Sequence, residues 1–156
     1  MPTTATDVMT SPAIVVAPET SIAEIAVLLT EKHISAVPVC EADGTLAGLV
    51  SEGDIIKPFR ESIRQKRDWW LGVLAEGERL PQEFLDYIRR DTRTARDVMA
   101  SHVVTAGADA TLPELAELMV EHRVKRIPIL RNGKVAGIVS RSDVVAAIAR
   151  APAMLI

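Results

Sequence analysis

Ala5-Thr6-Asp7-Val8-Met9 returns as Ala95-Arg96-Asp97-Val98-Met99, a displacement of 90 residues. The same displacement carries Glu24, Ala26, Leu28 and Glu31 onto Glu114, Ala116, Leu118 and Glu121, and Val37-Pro38-Val39 onto Ile127-Pro128-Ile129. After a one-residue deletion in a turn, Ala47-Gly48-Leu49-Val50-Ser51 matches Ala136-Gly137-Ile138-Val139-Ser140, and Asp54 matches Asp143. Chance similarity does not keep register over a whole unit, so the chain is read as a tandem duplication.

Each copy has one internal pattern. A short strand is expected at Ile14–Val16 and Val103–Thr105, then a helix after Thr20-Ser21 or Ala110-Thr111, whose apolar positions Ile22, Ile25, Ala26 and Leu29 fall at helical spacing. A β-hairpin follows, with Ser35–Cys40 and Thr45–Ser51 flanking Glu41-Ala42-Asp43-Gly44; in the second copy the turn is Arg131-Asn132-Gly133. Asp-Gly and Asn-Gly suit tight hairpins because they tolerate positive φ. A second helix begins at Gly53-Asp54 or Ser142-Asp143. The order is strand, helix, strand, strand, helix, an α+β arrangement. A unit of about fifty residues buries too little surface to stand alone, so two pseudo-symmetric repeats packed through their sheets are expected. Their boundaries are placed at 5–56 and 95–150, within one compact module.

Residues 57–94 have no counterpart. Their apolar pattern, Ile63, Trp69, Trp70, Leu71 and Leu74, then Phe84, Leu85 and Ile88, predicts two helices interrupted near Gly77–Pro81. The tryptophans are read as packing residues of this helical insertion, against the body or a second subunit, in preference to base-stacking groups.

Composition narrows the function. The 156 residues carry 48% hydrophobic and 25% charged residues, as in an ordinary globular protein, and no apolar run is long enough to span a bilayer. Met1–Pro12 contains Asp7 but no Lys or Arg, unlike a secretory signal, so a cytoplasmic location is expected. One cysteine, Cys40, and three scattered histidines give no metal-ligand spacing. A net charge of -3 disfavours nucleic-acid binding, although Arg123, Lys125, Arg126, Arg131 and Lys134 make a basic stretch suited to a small anion. The basic run Arg89, Arg90, Arg93 and Arg96 is interleaved with Asp91 and Asp97 and reads as a solvated helix end. Cys40 aligns with Leu130, which makes an inert core thiol the expected reading. His33 and His122 lie near helix C-termini, where positive charge is favourable, and neither has a nucleophile or carboxylate pair beside it. No catalytic constellation is found.

The residues with ligand chemistry are in Gly137-Ile138-Val139-Ser140-Arg141-Ser142-Asp143, a strand running into a helix N-terminus. Unpaired N–H groups there suit phosphate, and a carboxylate can accept both hydroxyl hydrogens of a ribose. Ser and Asp are also preferred helix caps. The local motif leaves both readings open. Arg126, before Pro128, can pair with phosphate or be a solvated strand charge.

The doubled Asp-Val-Met opening, the apolar-x-Pro-apolar strand and the Gly-apolar-apolar-Ser-x-x-Asp closing segment resemble the tandem CBS (cystathionine-beta-synthase) domain pair, the Bateman-type module. The resemblance covers about two-thirds of the chain and omits the insertion. It implies a non-catalytic sensor that binds an adenine ligand between the repeats (AMP, ADP, ATP, NAD or S-adenosylmethionine) and signals to an effector protein or domain, commonly as a homodimer. It implies a main site in which Ser140, Arg141, Ser142, Asp143 and Arg126 face Ala13, Ile14, Ile34, Ser35 and Ala36. A weaker pseudo-symmetric site would use Ser51, Asp54, Val103, Val104, Val124 and Lys125, since Gly53 stands for Ser142 and Ala36 for Arg126. The competing reading is a ligand-free homodimerisation scaffold. No effector domain precedes the end at Ile156, so the regulated partner is expected on another protein or in a longer chain.

Overall fold

The computed structural model describes residues 2–57 and 92–151. The insertion with Trp69 and Trp70, together with Arg89 and Arg90, lies outside the described residues. The described elements are α1 (Ala5–Val8), α2 (Ile22–Lys32), β1 (Ala36–Cys40), β2 (Leu46–Ser51) and α3 (Glu52–Ile56), then α4 (Ala95–Val98), β3 (Ala106–Gly107), α5 (Leu112–His122), β4 (Arg126–Arg131), β5 (Lys134–Ser140) and α6 (Arg141–Arg150).

The duplicated helices start and stop where their chemistry requires. Ser21 and Thr111 cap α2 and α5 by accepting from the N–H groups of Glu24 and Glu114. Both helices end on a left-handed residue, His33 (φ 53) and Arg123 (φ 55). Ile22, Ile25 and Leu29 on α2, and Leu112, Leu115 and Met119 on α5, turn one buried stripe toward their sheet. Fully burying a side chain of this size contributes about 1.5–3 kcal/mol.

The hairpins form as expected. β1 pairs antiparallel with β2, and β4 with β5, with a register shift at Val39/Cys40 repeated at Ile129/Leu130. Positive φ at Asn132 (54) and Gly133 (78) closes the second turn. In the first, Asp43 Oδ1 accepts from Thr45 N–H at 3.0 Å and Thr45 Oγ1 at 2.7 Å, bonds that hold its carboxyl below the usual range. The two hairpins meet through an isolated Thr45–Lys134 bridge.

The first strands differ from expectation. Ile14–Val16 reduces to one parallel bridge at Val16, and Val103–Thr105 gives way to the two-residue strand Ala106–Gly107. Proline is the cause. Val16 N–H donates to Pro38 O at 3.0 Å and Cys40 N–H to Val16 O at 2.9 Å. Carrying the ladder back to Ile14 would need an N–H on Pro38, which has none. Pro128 occupies the same place beneath Ala106 and Ile129. The second helices also begin one residue early, because Ser51 and Ser140 are the caps and Glu52 and Arg141 already helical.

The repeats exchange their opening arms. Ala5, fully buried, belongs to the core of Leu112, Leu115, Ile127, Ile129 and Val139 in the second repeat. Ala95, also fully buried, belongs to the core of Ile25, Val37, Val39 and Val50 in the first. Backbone bonds tie the crossings: Ala5 N–H to Ala110 O at 2.8 Å, Ala95 N–H to Thr20 O at 2.8 Å, and reciprocal pairs between Thr10 and Ile138 and between Ala100 and Leu49. The glycines under the arms allow this approach. A Cβ on Gly137 would stand 2.6 Å from Met9 Sδ and 2.8 Å from Thr10 O, and one on Gly48 would stand 2.5 Å from Met99 Sδ and 2.7 Å from Ala100 O.

Candidate functional site

Two clefts lie between the repeats. The larger, about 590 Å³, takes Ser140, Ser142, Asp143 and Arg126 from the second repeat and Ile14, Ile34, Ser35 and Ala36 from the first. These come together because the β5–α6 corner carrying Asp143 faces the α2–β1 corner carrying Ile34–Ala36. Two residues expected beside them are placed elsewhere. Ala13 lines a separate depression near Cys40, and Arg141, the first residue of α6, lines neither cleft.

At this corner Asp143 has two functions available at once. Its Oδ2 accepts from Ser140 N–H at 2.8 Å, and its own N–H donates to Ser140 Oγ at 3.2 Å, so it closes a capping box on α6. Among the described residues Oδ1 has no partner, and Asp143 is only partly buried on the cleft wall. Capping therefore uses one oxygen of the carboxylate and leaves the other open to the cleft. Ser142 is exposed beside it, with no side-chain bond among the described residues.

Arg126 projects from the start of β4 and donates from Nη2 to Ser35 Oγ at 2.6 Å across the repeat boundary. Burial pushes its guanidinium below the ordinary value; Glu52 opposes that shift, Arg141 adds to it, and Asp54 opposes it. Arg126, Ser35 and Glu52 line both clefts and so form the wall between them.

Sequence reasoning did not assign Thr10, His33, Pro38, Glu52 or Ile138 to the site, and all of them line the larger cleft. Thr10 ends the crossed arm, and its counterpart Ala100 lines the other cleft. Register offered a signal for Glu52, since it stands where Arg141 stands in the second copy.

The smaller cleft, about 380 Å³, gathers Ser51, Asp54, Val103, Val104, Val124 and Lys125, together with Arg123, Arg126 and His102. Ser51 and Asp54 repeat the capping box, Ser51 N–H reaching Asp54 Oδ2 at 2.9 Å. Among the described residues no group of His, Cys, Asp or Glu is placed to hold a metal, and no helix is long and apolar enough to cross a membrane.

The CBS domain family profile matches residues 5–61 and 95–150. An uncharacterised protein of Methanocaldococcus jannaschii, MJ1426, is 32% identical over 153 residues, covering 91% of this chain and 89% of its own. The crystal structure of the CBS-pair protein CBSX2 from Arabidopsis thaliana superposes with a TM-score of 0.74 at 25% identity, over 98% of this chain and 99% of that one. CBSX2 has also been crystallised in complex with AMP (TM-score 0.68, 24% identity, 95% of this chain and 97% of that one). The CBS domain pair of MJ0100, crystallised with 5-methylthioadenosine and S-adenosyl-L-methionine, shares the fold at a TM-score of 0.71 and 20% identity, over 96% of this chain and 98% of that one.

Proposed function

This chain belongs to the CBS domain family, and from that premise we propose that it is a non-catalytic regulatory module that binds an adenine nucleotide in the Asp143 cleft and reports occupancy to a partner. The observation that carries the proposal is the convergence of Asp143, Ser140, Ser142 and Arg126 with Ile14, Ile34, Ser35 and Ala36 on one cleft of about 590 Å³, a volume in the range of small-molecule sites. In this reading Asp143 Oδ1 accepts the ribose hydroxyls. The Arg126 guanidinium pairs with the first phosphate through charge-assisted hydrogen bonds, and the walls at Ile14, Ile34 and Ile138 take the base. The AMP complex of CBSX2 supports the ligand class. Candidate ligands are AMP, ADP, ATP, NAD and S-adenosylmethionine.

Occupancy can signal only if the ligand binds two arrangements of the repeats with unequal affinity. The two repeats meet along the wall of Arg126 and Ser35, so a ligand drawing on Arg126 changes a contact between them. A second copy of the chain is proposed to dock on the outer helix faces, where Val120 is 80% and Val145 64% exposed.

The test is thermal unfolding of nucleotide-stripped protein against each candidate. Ligand at a hundred times Kd adds about 2.7 kcal/mol of stability. Asp143→Asn keeps an acceptor for the helix cap and removes the charge, and it is expected to reduce the rise with AMP without unfolding the protein. No response to any of the five ligands would sink the sensor reading in favour of the dimerisation scaffold.

A further inference from the structure

The two clefts are copies of one design with different charge. Where α2 runs into β1, the residues flanking Ile34 are His33 and Ser35; at the same place between α5 and β4, those flanking Val124 are Arg123 and Lys125. The backbone is shared, since His33 and Arg123 have φ of 53 and 55. The Asp143 cleft therefore sets Arg126 against two carboxylates, Glu52 and Asp143. The Asp54 cleft sets Arg123, Lys125 and Arg126 against Glu52 and Asp54. With histidines neutral, one cleft is formally negative by one charge and the other positive by one.

Resting on the nucleotide reading above, we propose that the clefts sort adenine ligands by charge: the Asp54 cleft takes the polyphosphate forms, and the Asp143 cleft takes a nucleoside bearing one phosphate or none. A triphosphate in the Asp143 cleft has one guanidinium, already bonded to Ser35, and must lie near Glu52. In the Asp54 cleft it meets two further cations, both exposed and free to follow a flexible chain. The ranking expected from Asp143, Ser142 and Arg126 alone, with the Asp54 cleft the weaker, then holds for adenosine and AMP and reverses for ATP. Three departures from internal symmetry produce the sorting: Arg123 for His33, Lys125 for Ser35 and Gly53 for Ser142.

The experiment is calorimetric titration of the full, nucleotide-stripped chain with adenosine, AMP, ATP and inorganic tripolyphosphate. Arg123→Gln and Lys125→Gln should each weaken ATP and tripolyphosphate about tenfold, the effect of losing one charge-assisted contact, and leave adenosine unchanged. Asp143→Asn should weaken adenosine and AMP and leave tripolyphosphate unchanged. His33→Arg, which gives the first corner the charge of the second, should strengthen ATP in a Lys125→Gln background. Loss of ATP binding in Asp143→Asn with none in Arg123→Gln or Lys125→Gln would overturn the sorting, as would the absence of any ATP and tripolyphosphate binding. If tripolyphosphate binds and responds to Lys125→Gln while no adenine ligand binds, the anion cleft stands and the nucleotide reading fails.

Discussion

Arg126 Nη2 and Ser35 Oγ, 91 residues apart in the chain, meet at 2.6 Å on the wall shared by the two clefts. The bond holds the guanidinium over the Asp143 cleft while its remaining donors stay available. Arg126→Gln is expected to weaken AMP roughly ten- to hundredfold, the equivalent of about 1.5–3 kcal/mol. Ser35→Ala frees the guanidinium without removing it and should cost less than tenfold. Titration calorimetry of AMP against both variants checks the order; equal losses would show that Ser35 itself holds ligand.

On the proposed reading, Ser140 and Ser142 divide capping from recognition. Ser140 caps α6, so Ser140→Ala should cost about 1 kcal/mol of stability. Ser142 has no such bond, and Ser142→Ala should leave the urea midpoint unchanged while weakening AMP. A stability loss in Ser142→Ala, or none in Ser140→Ala, would reverse these roles.

The glycines under the crossed arms tolerate no side chain. Gly137→Ala and Gly48→Ala should each lower stability by about 1–3 kcal/mol, the usual cost of forcing atoms into a packed interface. Gly107→Ala has open space around its Cβ and serves as the control, expected near neutral. Urea melts of the three variants give the comparison.

Which sheet each arm covers was not legible in the sequence, because the repeated Asp-Val-Met reads the same whether it folds back or crosses over. The hairpins were legible because Asp43-Gly44 and Asn132-Gly133 sit between apolar runs, and α2 and α5 because Ile22, Ile25 and Leu29 recur at helical spacing with Ser21 ahead of them. The first strands were placed wrongly because pairing is decided by the partner, and Pro38 and Pro128 lie on the partner. Of the cleft residues, Asp143 was legible in the local motif, and the placing of Arg126 opposite Ile34 came from the family resemblance; Thr10 is brought in by the crossing, which no local pattern encodes, and Glu52 only through its register with Arg141.

Ala5 carries a prediction of its own. Ala5→Asp places a charge in the core of the second repeat and should destabilise by about 3 kcal/mol or more. Hydrogen exchange locates the damage: Ile127, Ile129 and Val139 should lose protection first, although the substitution lies in the first repeat's sequence. Protection lost first at Val37 and Val50 would contradict the crossing.

Cys40 is buried, and burial raises its thiol pKa above the ordinary value of 9.0. The unfolded thiol ionises first as pH rises, so the unfolded state then binds fewer protons than the folded one. This contribution to stability is flat below about pH 9 and falls above it until the folded thiol ionises. Cys40→Ala should lack that alkaline decline relative to the parent, measured as urea midpoints from pH 7 to about pH 10. Iodoacetamide should label Cys40 only as fast as the protein opens; rapid labelling of folded protein would show an accessible thiol.

The crossed arms make the two halves hold one another through surfaces as well as through the peptide that joins them. A chain nicked between residues 57 and 92 would then stay a single particle, and two fragments expressed separately would find each other and assemble. Neither fragment would keep a complete interior alone, since each lends the other its buried alanine. By the same geometry an arm can serve a neighbouring molecule as well as its own, so exchange between chains is a route to higher assemblies that forms no new kind of contact.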